Sequence, residues 1–364
     1  MATKEIEYSK LFAKTLPAPA GSANVLQPKY NFILGHTSPD LIPVEELVKS
    51  ASRALKKDGP GLAINLHNGG LLGYLPLRQF LVERLAKYRG VNVSADQILI
   101  TSGSQTAVVL LNTALLEPGD TVIAENYSYV GVIGDLRMRK VNVVGVPVDE
   151  GGMQMDALAS VLADLQAKGV TPKYIYTIPT VQNPTGTVMP MDRRIEMLNL
   201  SKQYHVPILE DDCYADLVFE GEWENAILSI DDSNHVLHIG SFSKNLAPGL
   251  RLGYVVAPWE ILSQLLPLKG DIGTSNFGQM VAADFFNNNY LQHLDTLRNG
   301  LRQKRDTFIA AIKEYFGPSV QPNRPRGGIY LWVKFPKNVD TRVPLAAAKD
   351  AGVGYNPGSD WAVY

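Results

Sequence analysis

Apolar positions in the central part of the chain follow two alternating patterns. Residues 96–116 begin with a short apolar run that ends at Thr101, and after a glycine-containing turn the apolar residues recur at spacings of three and four. A short continuous run predicts a buried strand, and the second spacing predicts an amphipathic helix. Strand-like and helix-like segments alternate in this way to about residue 270.

The same pattern predicts six further strands and two further helices. The strands are expected at 118–125, 141–149, 173–180, 206–212, 236–243 and 252–258, and the helices at 155–167 and 191–205. Strands separated by helices of this length need crossover connections, which favours an α/β fold with a mostly parallel, doubly wound sheet. Long helical segments at 277–316 and a strand at 326–336 then predict a second, smaller α+β domain.

Composition limits the classes of partner. Of the 364 residues, 45% are hydrophobic and 19% are charged, which suits two domains or one large domain with a smaller one. The net charge of −2 gives no general attraction to nucleic acid or to an anionic membrane. The N-terminus lacks a signal-peptide pattern, and the single cysteine, Cys213, excludes an intrachain disulfide. We therefore expect a cytoplasmic enzyme or binding protein without nucleic-acid or membrane partners.

Polar residues cluster where function is expected in such a fold. In open α/β sheets, ligands bind beyond the carboxyl ends of the strands. The corresponding loops are 101–105, 127–131, 180–187, 210–214 and 241–251. The first is a strand–glycine–helix junction whose free backbone N–H groups can bind phosphate. No G-x-G-x-x-G follows a strand and no G-x-x-x-x-G-K-[ST] occurs, so neither a dinucleotide nor a P-loop fingerprint is present.

Three of these loops carry short motifs that are each weak alone. NPTG at 183–186 predicts a turn. EDDCY at 210–214 ends a buried strand in carboxylates, and each buried charge needs a partner. SFSKNLAPGLRLGY at 241–254 combines two serines with Lys244 and Arg251.

In this order and spacing, the motifs resemble those of the fold-type I pyridoxal-phosphate enzymes, in the class I/II aminotransferase branch. The resemblance covers roughly residues 30–360. It implies the type I PLP-transferase fold, with a large domain and a smaller α+β domain, and pyridoxal 5'-phosphate as the cofactor. We expect an N-terminal arm with part of the small domain at 1–60, a large cofactor-binding domain at 61–275 and a small domain at 276–364.

The resemblance also implies roles for individual residues. Lys244 would form a Schiff base with the cofactor aldehyde and then move the substrate's Cα proton. Asp211 would keep the pyridine nitrogen protonated, so that the ring accepts electrons. Asn183 and Tyr214 would donate hydrogen bonds to the phenolic oxygen, and Tyr129 would stack on the ring. The remaining cofactor contacts are expected to be Ser104, Gln105, Ser241, Ser243 and Arg251.

Three positions depart from the family pattern. Asn68 occupies a place where the family often has a tyrosine that reaches the partner subunit's phosphate. His36 lies in the segment expected to cover the substrate, and a histidine there can titrate near neutral pH. Asp271 is expected at the rim of the active site in place of a more usual hydroxyl and aromatic run.

A fourth departure concerns the substrate carboxylate. In the family, a strand after a motif resembling GVGYNPGSDW (352–361) carries the arginine that binds it, and this sequence stops at Tyr364. We therefore expect a truncated small domain and nominate no carboxylate ligand. Arg326 and Arg342 qualify as substitutes by position alone, and neither is nominated.

The reaction expected from the resemblance is transamination of an L-amino acid through an external aldimine, with Cα deprotonation by Lys244. The alternative is elimination or cyclisation of a hydroxylated guanidino amino acid, as in capreomycidine- and enduracididine-type synthases. His36, Asn68 and Asp271 raise this alternative because they would add acid/base groups near the cofactor. The resemblance further implies a homodimer with shared active sites.

Two other classes are disfavoured. SFSK also satisfies the S-x-x-K motif of penicillin-binding proteins and serine β-lactamases, but the accompanying S-D-N and K-T-G are absent. The effector domain of a transcription regulator would carry a helix-turn-helix extension, for which residues 1–30 are too short.

Overall fold

The computed structural model describes residues 6–14, 16, 19, 27–36 and 38–363. The α-helices in this part of the chain are α1 (Val44–Asp58), α2 (Leu75–Arg89), α3 (Ser104–Leu115), α4 (Val130–Met138), α5 (Met155–Ala167), α6 (Met191–Tyr204), α7 (Trp259–Leu265), α8 (Asn276–Phe316) and α9 (Leu345–Asp350). The β-strands are β1 (Tyr30–Asn31), β2 (Ile98–Thr101), β3 (Thr121–Glu125), β4 (Asn142–Val146), β5 (Val148–Asp149), β6 (Gly152–Met153), β7 (Ile175–Thr177), β8 (Ile208–Asp211), β9 (Val236–Ser241), β10 (Gly253–Val256), β11 (Gln321–Pro322), β12 (Val333–Lys334) and β13 (Val353–Gly354).

Seven of these strands form one central sheet in the order β2-β10-β9-β8-β7-β3-β4. The pairs from β9 to β4 are all parallel. Only β10 is reversed, since it pairs antiparallel with both β2 and β9. The prediction of an α/β fold with a mostly parallel sheet is therefore confirmed.

Helices cover both faces of the sheet, which explains why its inner strands are buried throughout. Neighbouring residues of one strand enter different apolar clusters: Val122 and Ala124 join one, whereas Ile123 joins the other. This division follows from the alternation of side chains across a strand. The second cluster includes residues of α5 and α6, such as Leu158 and Met197.

The helical segment predicted at 277–316 is one helix, α8, whose 41 residues span about 60 Å. Ser275 caps its N-terminus, because the Ser275 hydroxyl accepts a hydrogen bond from the Gly278 amide at 3.2 Å. The first half of α8 is buried against α2, where the rings of Phe80 and Phe286 stack with centroids 5.0 Å apart. Helix α1 packs along α8. None of the helices in the described residues combines the length and apolar character needed to cross a membrane.

The strand predicted at 326–336 is wrong for most of its length. Only β12 forms, paired with β11. The preceding backbone is bonded to another loop instead: the Phe219 amide donates to the Arg326 carbonyl at 3.0 Å, and the Gly328 amide donates to the Leu217 carbonyl at 3.0 Å. Strand β1 pairs with β13 and so joins the N-terminal segment to the C-terminal region. The domain boundaries near residues 60 and 275 stay predictions.

Candidate active site

The predicted site residues lie at one edge of the central sheet. Ser104 follows β2, Tyr129 follows β3, Asn183 follows β7, Asp211 ends β8 and Lys244 follows β9. These parallel strands all end at the same edge. Because β10 is reversed and begins at this edge, the segment that leads into it also lies there.

Asp211 is buried beneath this edge. Its Oδ2 atom accepts a hydrogen bond from the Tyr176 hydroxyl at 2.7 Å, and its Oδ1 atom accepts one from the Cys213 amide at 3.3 Å. Burial raises the pKa of Asp211, and hydrogen bonds from Cys213 and Tyr176 offset only part of this effect. A cation placed beside such a carboxylate would favour its charged form.

The other two carboxylates of EDDCY have partners within the chain. Glu210 Oε2 lies 3.0 Å from His238 Nδ1. Asp212 forms a two-pronged ion pair with Arg89, with Nε–Oδ2 and Nη2–Oδ1 distances of 2.8 and 2.9 Å. These contacts resolve the burial problem that the sequence posed for both residues.

Lys244 projects into the same region. Its Nζ atom donates a hydrogen bond to the Gly35 carbonyl at 2.6 Å and lies 6.0 Å from the centre of the Tyr214 ring. Burial lowers the pKa of Lys244, Cys213 and Asp211 act in the opposite direction, and Arg251 lowers it further. An amine with a lowered pKa is more often neutral and therefore nucleophilic at neutral pH.

Asn183, Tyr214 and Tyr330 form a short hydrogen-bonded chain. Asn183 Nδ2 donates to the Tyr214 oxygen at 3.0 Å, and the Tyr214 hydroxyl lies 3.4 Å from that of Tyr330. Burial raises the pKa of both phenols. Among the described residues, the buried Asn183 Oδ1 has no hydrogen-bond partner.

The junction between β2 and α3 has the features of an anion site. The first N–H groups of a helix have no acceptor within the helix, so the N-terminus of α3 offers donors. Gly103, just before it, has φ +91° and ψ 160°, a conformation that essentially only glycine adopts. A Cβ atom at Gly103 would overlap the guanidinium of Arg251, which lies against this turn with Nη2 3.4 Å from the Ser102 carbonyl oxygen.

Other predicted cofactor contacts surround this junction. Gln105 Nε2 donates to the Gly131 carbonyl at 3.0 Å, while its buried Oε1 has no partner among the described residues. Ser241 Oγ accepts a hydrogen bond from the Ser243 amide at 3.1 Å. Tyr129 is half-buried at the start of α4, and burial, with a contribution from Asp211, raises its pKa to about 12.

His36, Asn68 and Asp271 have different surroundings. The side chain of His36 is exposed, although its neighbour Gly35 contacts Lys244. Asn68 is exposed with φ +53°. Asp271 instead accepts a hydrogen bond from Ser102 at 2.7 Å, beside the anion site.

Arg326 and Arg342 are engaged elsewhere. Arg326 donates through Nε and Nη2 to the backbone carbonyls of Glu220 and Glu222. Arg342 pairs with Asp340 at 2.9 Å on the surface. The guanidinium groups of both arginines are therefore already paired within the chain.

Sequence reasoning missed several contributors. Tyr330 lies in the aromatic run RGGIYLW, and Tyr176 lies in the buried run KYIYTIPT. The sequence shows that aromatic residues are present in these runs, but it does not show that their side chains point toward the site. Gly35 has no local signal, because its carbonyl meets Lys244, which is distant in sequence.

The assembled residues fit a phosphorylated pyridine aldehyde. Two buried amide oxygens, Asn183 Oδ1 and Gln105 Oε1, have no partner among the described residues. Buried polar atoms are normally paired, so these two oxygens, which can only accept, mark places where the folded chain leaves room for a further hydrogen-bond donor. The site also contains the Lys244 amine, the buried Asp211 carboxylate and the Gly103 turn that lies against Arg251.

Comparison with known proteins gives the same answer. The sequence profile of the family described as aminotransferase class I and II matches residues 34–358. The aromatic-amino-acid aminotransferase 1 of Thermococcus litoralis is 33% identical over 327 residues, which are 89% of this chain and 78% of that protein. The solved structure of kynurenine aminotransferase from Pyrococcus horikoshii, in complex with PMP, matches with a TM-score of 0.90 at 30% identity, covering 98% of this chain and 90% of that one.

A helix-turn-helix-type transcriptional regulator of Bacillus subtilis is also similar, with 32% identity over 308 residues that are 84% of this chain and 61% of the regulator. The fold and the site define a pyridoxal-phosphate-dependent enzyme of fold type I. The chain belongs to the class I and II aminotransferase family, and its cofactor is pyridoxal 5'-phosphate.

Proposed function

We propose that this aminotransferase moves the α-amino group of an L-amino acid to a 2-oxo acid, with Lys244 as the cofactor-binding amine and proton carrier. The observation that carries the proposal is the meeting of Lys244, Asp211 and the Asn183–Tyr214 pair at one edge of the sheet. Bound pyridoxal phosphate supplies an aldehyde that condenses with amines and a protonated ring that withdraws electrons from the substrate's Cα.

Lys244 and Asp211 would have separate roles toward the cofactor: Lys244 would bind its aldehyde, and Asp211 would pair with its ring nitrogen. Burial lowers the pKa of Lys244, so the amine can accept the Cα proton and return it to another carbon. With the cofactor bound, the Asp211 carboxylate would hold a proton on the ring nitrogen, and the positive charge there would in turn favour the ionised form of Asp211. Tyr176 fixes the orientation of the carboxylate through its 2.7 Å hydrogen bond.

The remaining residues orient the cofactor. Asn183 and Tyr214 would donate hydrogen bonds to its phenolic oxygen, and Tyr129 would pack against the ring. The phosphate group would be held by the α3 N-terminus and by the following side chains: Ser104, Gln105, Ser241, Ser243 and Arg251. The glycine turn at Gly103 supports this role because it lets the Arg251 guanidinium approach the backbone closely.

The functional unit is a homodimer in the cytoplasm. Apolar side chains at Ile64, Leu71, Ile272 and Phe277 are 60%, 43%, 66% and 44% exposed. The two segments that carry them touch, since Asn276 Nδ2 donates to the Ile64 carbonyl at 3.3 Å. Such a contiguous apolar patch favours a contact with a second copy, and Asn68, on the same segment, faces the neighbouring cofactor. The single cysteine favours a reducing compartment.

A half-reaction on cofactor-loaded protein tests the reaction type. Single amino acids are added without an acceptor, and the cofactor absorbance and product masses are followed. Stoichiometric conversion of the cofactor to its amine form, with one 2-oxo acid released per site, is the expected result. Repeated turnover to a product that has lost water or a side-chain group would contradict transamination and establish elimination or cyclisation.

A further inference from the structure

We infer that Asp271 and Lys269 are a positioning pair for the phosphate site: Asp271 holds the Ser102 end of the turn, and Lys269 cancels the charge that Asp271 brings there. The inference rests on the proposed function, because it takes the turn from Ser102 to Ser104 as the place of the cofactor phosphate. Neither residue touches the reacting atoms.

Asp271 lies in the loop at 269–274 and forms a hydrogen bond with the turn between β2 and α3. Its Oδ2 atom accepts a hydrogen bond from Ser102 Oγ at 2.7 Å, and its Oδ1 atom accepts one from the Gly273 amide at 3.1 Å. The Ser102 carbonyl in turn accepts a hydrogen bond from Thr106 Oγ1 at 3.1 Å. Asp271 therefore fixes Ser102, which lies two residues before the first residue of α3.

Lys269 lies beneath this contact. Its Nζ atom is 3.1 Å from Asp271 Oδ1, and only 1% of its side chain is exposed. The same atom lies 3.4 Å from the Ile100 carbonyl of β2 and 3.4 Å from Thr274 Oγ1. The ammonium group thus ties the loop at 269–274 to the last residues of the strand that leads into the turn.

The charges explain why both members are needed. The Asp271 carboxylate is hydrogen-bonded to Ser102, the first residue of the turn taken as the phosphate site. Without a neighbouring cation, a carboxylate in this position would repel the phosphate dianion. Burial alone would raise the pKa of Asp271, but the hydrogen bond from Ser102 and the Lys269 ammonium outweigh it and lower the pKa overall. Asp271 is consequently ionised and paired at neutral pH, which suits a fixed acceptor better than the acid/base role expected for it from the sequence.

Four variants separate charge from geometry: Lys269→Met, Asp271→Asn, and the double variants Lys269→Met/Asp271→Asn and Lys269→Met/Asp271→Ala. Cofactor-free protein is titrated with inorganic phosphate by calorimetry, and with pyridoxal 5'-phosphate and phosphate-free pyridoxal by absorbance. Lys202→Met, which breaks an exposed pair with Asp232, is the control.

Lys269→Met leaves an unpaired carboxylate, so phosphate affinity falls about tenfold or more, while pyridoxal still reacts with the protein as in the wild type. Removing the second charge in Lys269→Met/Asp271→Asn restores the affinity to within about threefold of wild type, since asparagine still accepts from Ser102. Lys269→Met/Asp271→Ala lacks that acceptor and binds phosphate about three- to tenfold more weakly than the asparagine double variant. Asp271→Asn alone keeps the acceptor and binds no more weakly than wild type.

Two results would overturn the inference. If the asparagine double variant binds phosphate as weakly as Lys269→Met, charge cancellation is wrong; if the two double variants bind equally well, the positioning role of Asp271 is wrong. Thermal midpoints are measured in parallel. If Lys269→Met does not fold, the asparagine double variant is compared with wild type to test charge cancellation, and with the alanine double variant to test the positioning role of Asp271. If instead the wild type binds pyridoxal 5'-phosphate no more tightly than pyridoxal, the phosphate site of the proposed function fails rather than the pair.

Discussion

The Nζ atom of Lys244 donates a hydrogen bond to the carbonyl oxygen of Gly35 at 2.6 Å. The N-terminal segment is thereby placed directly on the amine. Gly35 also has no room for a side chain, because a Cβ atom there would overlap the hydroxyl group of Tyr330. The tyrosine that fills this space lies 3.4 Å from the hydroxyl of Tyr214. The segment, the amine and both phenols therefore form one packed unit.

This packing makes Gly35→Ala a test of the segment. The added methyl group must displace Tyr330 or lift the segment, so kcat/KM for the best amino acid is expected to fall by up to about a hundredfold. Steady-state kinetics at saturating cofactor measure the loss. Gly134→Ala is the matched control, because its Cβ would have no neighbouring atom within 4 Å. Equal activity of the two variants would contradict the packing argument.

Lys244→Ala is expected to abolish the cofactor adduct as well as turnover. The proton-transfer role alone accounts for a loss of at least about a hundredfold in kcat. Mass spectrometry after borohydride reduction reports the adduct directly: the wild type gains the mass of the reduced cofactor on the peptide containing Lys244, and the variant does not. Lys173→Ala, a change at a half-exposed lysine that pairs with Asp120, should retain both properties. Full turnover of Lys244→Ala would refute the assignment.

Much of the sheet could be predicted because its information is local. Each parallel strand is a short apolar run, and the turn after it carries residues that suit only a few conformations; the NPTG and SFSK motifs are examples. The strand at 326–336 failed because its alternating aromatic residues serve other contacts: Tyr330 reaches Tyr214, and Trp332 bonds through its amide to Asn323 Oδ1 at 2.8 Å. Alternation of apolar and polar residues in the sequence does not show which segment will supply the backbone hydrogen-bond partners of a strand.

The same limit applies to the site. Lys244 and Asp211 stand in motifs with characteristic spacing, whereas the partners that set their environment come from distant segments. Lys269 meets Ile100 across 169 residues, and Lys244 meets Gly35 across 209. Asp271 was recognised as unusual from its position, but only the three-dimensional contacts with Ser102 and Lys269 distinguish a fixed acceptor from a solvent-facing acid.

Glu125 should make stability depend on pH. Burial raises its pKa from 4.5 to about 7, although a hydrogen bond from Thr177 opposes the shift. Between these two pH values the folded protein binds more protons than the unfolded chain, so this contribution is present below about pH 4.5 and is lost as pH rises through about 7. Glu125→Gln removes the dependence, and its stability relative to wild type should increase by up to about 3 kcal/mol between pH 5 and pH 8.

Chemical denaturation of both proteins at several pH values measures this difference. Glu117→Gln, at an exposed position, is the control for the loss of a carboxylate in itself. A Glu125→Gln difference that stays constant, or that shrinks as pH rises, would mean that Glu125 is ionised in the folded protein throughout the range.

Arg89 and Asp212 provide a test of how the strand end below the active site is stabilised. Their side chains are 2% and 0% exposed, and the guanidinium contacts both carboxylate oxygens, at 2.8 and 2.9 Å. Arg89→Met leaves Asp212 buried without its cation, which should lower the free energy of unfolding by about 3–5 kcal/mol. Arg89→Met/Asp212→Leu removes both charges and should recover most of that loss, because a buried ion pair is close to neutral against apolar residues of similar size.

Arg193 and Asp149 form a similar pair with about a third of each side chain exposed, and Arg193→Met should lower the free energy of unfolding by at most about 1 kcal/mol. Denaturant titrations of all four proteins decide the matter: a double variant as unstable as Arg89→Met would show that the packing of the arginine, and not the unpaired charge, stabilises this strand end.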